Sequence, residues 1–197
     1  MFIVRFSSLA GAFCYRQMQC HAAYMTKWHG NIDIFYLTFA PLPFADKKME
    51  NTTDNDIRFM KEAIKEAVLA DGMEEIPVGA VIVCNGKIIA RAHNLTERLT
   101  DTTAHAEMQA ITMATAHIGG KYLTGCTIYV TLEPCPVCAA ALNWAQVSRI
   151  VYGASDPKRG YSLFSPSLLH PKTTVTSAIM EQECATLITD FFKRKRN

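Results

Sequence analysis

The feature that most constrains this chain is a pair of short motifs. His105-Ala106-Glu107 is followed further along by Pro134-Cys135-Pro136-Val137-Cys138. One imidazole and two thiols supply three ligands for a zinc ion and leave a fourth position for water. A catalytic zinc keeps such an open position, whereas a structural zinc is normally closed by four protein ligands. Whatever the fold, it must carry the two motifs to one place. Cys135 and Cys138 are three apart, so on one helical turn both sulfurs point the same way. Pro134 and Pro136 restrict the chain just before and inside that turn, where proline costs no helical hydrogen bond. The partial positive charge of a helix N-terminus helps to keep the thiols ionised. His105 and Glu107 are two apart and project differently, so one can bind metal while the other faces a substrate. A neutral imidazole and two thiolates cancel the ion's charge, yet such a zinc still lowers the pKa of water from ~16 toward ~7.

Taken singly, each motif has blander readings. A Cys-x-x-Cys can be a redox pair or half of a zinc ribbon. The upstream His-x-Glu argues against the first, and the lack of a second cysteine pair argues against the second. The seven cysteines are scattered, and two of them are assigned to metal. This argues for a reducing compartment, and we expect the cytoplasm, rather than a disulfide scaffold. Apolar residues make up 49% of the 197 and charged residues 19%, the balance of a globular domain. No apolar run approaches the ~18–20 residues of a membrane helix. Residues 1–48 carry five Lys/Arg against two Asp/Glu, whereas 49–197 carry fifteen against sixteen. The motif-bearing part is therefore not globally basic, and a nucleic-acid partner would have to be held by local patches.

The first 48 residues lack helical or strand periodicity. They have no acid before Asp33, faintly like a transit peptide. Met49 opens a polar segment that leads into an amphipathic helix. The expectation is an unstructured or spurious extension over 1–48, with Met49 as the natural start, and a single domain over 49–197. Between Asn55 and Ala70, the spacing of Ile57, Met60, Ile64 and Val68 predicts a helix, capped by Thr53 or Asp54 and ended by Asp71-Gly72. A hairpin follows, Gly79 to Cys84 and Lys87 to Ala90, turning at Asn85-Gly86. A helix from His105 to about Ile118 stops at Gly119-Gly120. A strand from Thr127 to Leu132, a helix from Cys135 to about Ala145 and a strand from Arg149 to Gly153 come next. A strand around Thr173 to Ile179 and a helix from Met180 to Lys195 complete the chain. This order predicts an α/β domain of three α/β/α layers with a mixed sheet. The metal lies at one sheet edge, where open α/β sheets bind ligands.

His-x-Glu followed by Pro-Cys-x-x-Cys is the signature of zinc deaminases. Further blocks narrow the resemblance: Glu75-Ile76-Pro77-Val78-Gly79-Ala80, Ala92-His93-Asn94, Thr103 to Met108, Tyr129 to Cys135, Gly153 to Asp156, Glu183-Cys184-Ala185 and Asp190-Phe191-Phe192. With these in order, residues 56–196 resemble the bacterial tRNA-specific adenosine deaminases of the cytidine deaminase-like superfamily. The resemblance implies a five-stranded mixed sheet with helices on both faces, usually in a homodimer. It implies a hydrolase that converts adenosine to inosine at the wobble position of a tRNA, an arginine tRNA being expected. Carried over by position, His105, Cys135 and Cys138 hold zinc and Glu107 is the proton shuttle. Glu107 would take a proton from the attacking water, protonate the ring nitrogen beside C6, then protonate the departing ammonia. Asn94 would hydrogen-bond the flipped base, with Pro77, Val78 and Ala106 lining its pocket. Asp156, Lys158, Phe191, Phe192 and Arg194 would lie near the anticodon arm. His93 reads as a packing histidine. The basic run Lys193 to Arg196 is either a solvated helix end or a phosphate contact. The sequence departs from many members at Pro157, which stiffens its loop, and at Tyr161. Asn143-Trp144-Ala145 and Pro136 resemble guanine deaminases, which makes a free base such as guanine or cytosine the alternative substrate. A zinc-stabilised RNA-binding module without activity is the other rival, and the presence of Glu107 argues against it.

Overall fold

In the computed structural model, the described residues are 52–164 and 168–196. The expected extension over 1–48, and Met49 with it, lie outside them. The elements are α1 (Thr52–Gly72), β1 (Gly79–Cys84), β2 (Lys87–His93), α2 (Ala106–Ile118), β3 (Cys126–Leu132), α3 (Pro136–Trp144), β4 (Arg149–Ala154), β5 (Thr174–Thr176) and α4 (Glu181–Arg196). The five strands form one sheet in the order β2-β1-β3-β4-β5. β1 runs antiparallel to both β2 and β3, while β3, β4 and β5 are parallel.

Side chains alternate across the strands, and the two faces carry different helices. Ala80, Ile82, Ile128, Val130 and Ile150 pack with the alanines of α2 and with Ala139 and Leu142 of α3. On the other face Val81, Val83, Tyr129 and Val151 pack with Phe59, Met60 and Ala63 of α1 and Cys184 of α4. This is the expected three-layer α/β/α arrangement.

Several expectations are corrected in detail. α1 begins at Thr52, so Thr53 and Asp54 lie inside it rather than capping it. Its packed face is Met60, Ala63, Ala67 and Ala70, and Val68 is exposed. Small residues win that face because α1 lies directly on the start of β1. A Cβ at Gly79 would fall 2.1 Å from the Ala63 carbonyl oxygen and 2.4 Å from the Ala67 nitrogen. β2 continues past Ala90 to His93, and β5 is only three residues long.

A partly buried ion pair ties the α1 start to the sheet. Both oxygens of Asp56 accept hydrogen bonds from Arg149, at 2.8 and 2.6 Å, and the Tyr129 hydroxyl donates to the same carboxylate at 2.9 Å. Arg149 also donates to Thr176 of β5.

The topology decides where chemistry can sit. β2 and β3 are both antiparallel to β1, so β2, β3 and β4 all point the same way. Their C-terminal ends share one edge of the sheet. Asn94 follows β2, Cys135 follows β3 and Asp156 follows β4. Pro77 and Val78, just before the oppositely directed β1, reach the same edge.

Candidate active site

Both motifs open helices at this edge. His105 is the N-cap of α2 and Cys135 the N-cap of α3, one residue outside the helices that the sequence expectation started with them. Neither side chain caps its own helix, which leaves the imidazole and the thiol free for another partner. Pro136 takes the first helical position, where its missing N–H costs nothing. Cys138 sits one turn above Cys135 and is buried.

His105 Nδ1 lies 3.3 Å from Cys138 Sγ and 3.6 Å from Cys135 Sγ. The three ligand atoms all fall within 4.8 Å of one another. Tetrahedral zinc with bonds of ~2.3 Å to sulfur and ~2.0 Å to nitrogen sets its nitrogen and sulfur ligands about 3.5 Å apart. The donor set therefore fits a zinc ion in spacing and in chemistry. The hydrogen bond from the Cys138 thiol, joined by one from His105, holds Cys135 down at about 4 despite its burial. The shared proton pushes Cys138 up in turn, and the neighbouring Cys135 sulfur raises the His105 imidazole. The Cys135 sulfur, at the N-terminus of α3, is thus the one biased toward thiolate.

Glu107 lies in the first turn of α2, 4% exposed. Burial pushes its carboxyl up to about 7, although the bond from its own backbone N–H holds back part of the rise. Asn94 is also buried, at 4%. Its backbone N–H donates to the Val78 carbonyl at 3.0 Å, and the next residue, Leu95, donates to Ala104. Those bonds stitch the end of β2 to the Pro77-Val78 segment on one side and to the approach to His105 on the other. Pro77 and Ala106 are buried and Val78 is half-buried. His93 packs as expected, its Nδ1 lying 3.0 Å from Glu66 of α1.

The comparisons with known proteins agree with this geometry. Residues 53–154 match the family model described as the cytidine and deoxycytidylate deaminase zinc-binding region. A tRNA-specific adenosine deaminase of Bacillus subtilis is 46% identical over 146 residues, covering 72% of this chain and 91% of that protein. One from Agrobacterium fabrum is 44% identical, covering 70% of this chain and 94% of that protein. The chain belongs to the family of tRNA-specific adenosine deaminases. A structure from a study of A-to-I editing by tRNA:A34 deaminases is 43% identical, with a TM-score of 0.62, over 66% of this chain and 98% of that one. The guanine deaminase of Nitrosomonas europaea is 20% identical, with a TM-score of 0.62, over 68% of this chain and 83% of that one. That likeness shows the shared fold alone. As a member of the zinc-binding deaminases, the chain takes zinc as its cofactor, and His105, Cys135 and Cys138 are the His and Cys residues able to hold it.

The residues carried over from the tRNA-specific adenosine deaminases as RNA contacts fare unevenly in position. Lys158 is exposed on the loop after β4. Asp156 is half-buried and occupied: its Oδ1 accepts the N–H groups of Lys158 and Arg159 at 2.9 and 3.0 Å. Phe191 is buried in the packing of α4, whereas Phe192 is exposed. Arg194 pairs with Asp71 at the end of α1, and Lys195 pairs with Glu74 at 2.5 Å. These are exposed pairs, and within the same run Lys193 also pairs with Asp190 at 3.4 Å.

Two further carboxylates stand at this edge, and the sequence motifs gave them no role. Glu133 is buried and accepts the N–H groups of Asp156 and Ser162, at 3.0 and 3.1 Å, so it holds the loop after β4. Gly160 packs flat on it; a Cβ there would meet the carboxylate at 2.4 Å. Glu75 holds the loop after β2 in the same manner. Both sit in quoted motif blocks, but nothing in the local pattern marks a glutamate as buried.

Proposed function

We propose that this chain hydrolyses adenosine to inosine and ammonia at the wobble position of a tRNA anticodon, an arginine tRNA being the expected substrate. The observation that carries the reading is the convergence of two helix N-termini on one His-Cys-Cys centre with a buried carboxyl beside it. The names of the relatives supply the substrate class.

Zinc, when held by His105, Cys135 and Cys138, supplies the Lewis acidity that makes water a nucleophile near neutral pH. Glu107 is the proton carrier. A carboxyl whose own pKa stands at about 7 both accepts and returns a proton at little cost. It takes the water's proton as oxygen adds to C6 of adenine, and gives it to the ring nitrogen beside that carbon. It then takes the second proton, from the new C6 hydroxyl, and delivers it to the amino group, so the C6–N bond breaks, ammonia leaves and the C6 carbonyl of inosine forms. Burial keeps bulk water from competing for that proton. Asn94 hydrogen-bonds the flipped base, and Pro77, Val78 and Ala106 wall the pocket. The target lies in a single-stranded loop, so extrusion costs little.

Lys158, Phe192, Lys193 and Arg196 form the RNA-facing set, Lys193 pairing within its own helix, with Asp190 at 3.4 Å. The ion pairs of Arg194 and Lys195 bring the end of α4 against residues 71–74, the segment that leads into Pro77 and Val78. The working form is a homodimer. Met113 and Ile118 of α2, and Val137 and Trp144 of α3, are large exposed apolar side chains, with Trp144 84% exposed; such surfaces mark partner contacts. The compartment is the cytoplasm, which suits the five free cysteines among the described residues. Among those residues, no helix is long and apolar enough to cross a membrane.

The test is direct. Purified protein is offered an arginine-tRNA anticodon stem-loop, free guanine, cytosine, cytidine and adenosine, and inosine and ammonia are followed. Inosine from the stem-loop with one zinc per chain supports the reading. Turnover of a free base alone, or a protein without zinc, overturns it.

A further inference from the structure

Glu75 is the least exposed charged residue among the described residues, at 0%. Among those residues it has no cationic partner and is held by hydrogen-bond donors. Its Oε1 accepts the Arg98 N–H at 2.8 Å. Its Oε2 accepts the Glu97 N–H at 3.2 Å, the Thr96 hydroxyl at 3.3 Å and Asn94 Nδ2 at 3.0 Å. Every one of these donors lies in the five residues that leave β2 toward His105. A carboxylate accepts only, so it fixes which end of the Asn94 carboxamide faces it. Nδ2 also lies 2.9 Å from Thr96 Oγ1, which is itself only 3.3 Å from Oε2. Nδ2 therefore donates to both Glu75 and Thr96, and Oδ1 has no protein partner among the described residues.

We infer that Glu75 is a positioning residue: it aims the Asn94 carboxamide so that its Oδ1 faces the bound base. The inference rests on the reading of Asn94 as a base contact. Glu75 touches no reacting atom. It acts by holding the 94–98 segment to the start of β1, which the Asn94-to-Val78 backbone bond joins from the other side. A buried carboxylate that strips four donors of their alternatives leaves this segment one conformation. A base docked against a correctly aimed amide needs no rearrangement before attack at C6, and misplacement by about 1 Å can cost up to ~10²-fold in rate.

The experiment is a double-mutant cycle on the stem-loop substrate, with zinc content and melting temperature recorded for every variant. Glu75→Gln keeps the size and loses one acceptor. It should lower kcat/KM by between about 10- and 100-fold, mainly through kcat, with zinc retained. Combined with Asn94→Ala it should do no further damage, because the group it aims is gone. Thr96→Val, a milder change on the surface of the same cluster, should lose a few-fold and show the same silence beside Asn94→Ala; it carries the test if Glu75→Gln does not fold. Losses that multiply with Asn94→Ala, or wild-type kcat/KM in both Glu75→Gln and Thr96→Val, overturn the inference. A readout without turnover separates it from the functional reading. By NMR, the Asn94 side-chain amide protons and the Arg98 backbone N–H should exchange slowly in the wild type and faster in Glu75→Gln. A wild type that makes no inosine sinks the deaminase reading alone. An Asn94 amide indifferent to Glu75→Gln sinks this one.

Discussion

Glu107 and Glu75 are both buried glutamates at the same edge of the sheet, yet they are opposite devices. Glu107, at the head of α2, has few donors, and burial carries its carboxyl up to about 7. At Glu75 burial also pushes upward, but the N–H groups of Arg98 and Glu97, with Thr96 and Asn94, outweigh it and leave the carboxyl below its ordinary value. Desolvation favours the neutral form, and donated hydrogen bonds favour the charged one. The first balance makes a group that exchanges protons near neutral pH. The second makes a fixed charge that can only hold its donors in place. Counting donors around a buried acid therefore separates a proton carrier from a structural anchor when burial alone does not.

The largest expected effect is at Glu107. Glu107→Gln should retain zinc by metal analysis and lose at least ~10³-fold in turnover; appreciable inosine formation by that variant would break the contrast at its active end. The pH dependence of stability should differ in sign between the two positions. Glu75 has a folded value below its unfolded value of about 4.5, so its contribution is present above pH 4.5 and fades as pH falls through the folded value. Glu75→Gln should cost about 1–3 kcal/mol in denaturant titrations at pH 7, with the deficit shrinking on acidification. Glu107 has a folded value of about 7 above 4.5, so its contribution is present below pH 4.5 and is lost as pH rises through 7. In chelator-treated protein, Glu107→Gln should therefore equal or exceed the wild type in stability at pH 8.

Glu133 sharpens the same comparison from the anchor side. Glu133→Gln should weaken the loop after β4 and cost about 1–2 kcal/mol, since one of its two backbone donors loses its acceptor. A Glu133 variant with unchanged stability but a shifted pH–rate profile would place it with Glu107 instead. The smallest effects belong to the tail. Reversing Lys193 and Arg196 should lower stem-loop activity a few-fold and flatten its salt dependence. Reversing Arg194 and Lys195 should be read first in the docking of α4 onto Asp71 and Glu74.

Much of this was legible in the sequence because it is local. The spacing of Cys135 and Cys138 on one turn, the proline at the first helical position and the Asn85-Gly86 turn are short-range geometry, and the elements they mark are present. His105, Cys135 and Cys138 come together because His105 and Cys135 each end a loop that starts from one edge of the sheet. Helix boundaries missed by a residue because an N-cap has the residue type of a helix start without its backbone. Periodicity ranks Ile and Val above Ala on α1, whereas the packed face is Met60, Ala63, Ala67 and Ala70. The close approach at Gly79 reverses that order, and nothing local reveals the approach.

What the chain alone determined is the chemistry that any fold of it had to serve: an imidazole and two thiols able to hold zinc, an acid two residues from the imidazole, and alternating elements that can only layer around a sheet. Tertiary structure decided the rest. It sent Phe191 into the core and Arg194 onto Asp71, and it left one glutamate buried with few donors while giving two others the backbone donors of loops. The physical reason is that a side chain's burial and its donors come from segments distant in sequence. The same residue type therefore takes its charge, and its task, from neighbours that only folding supplies.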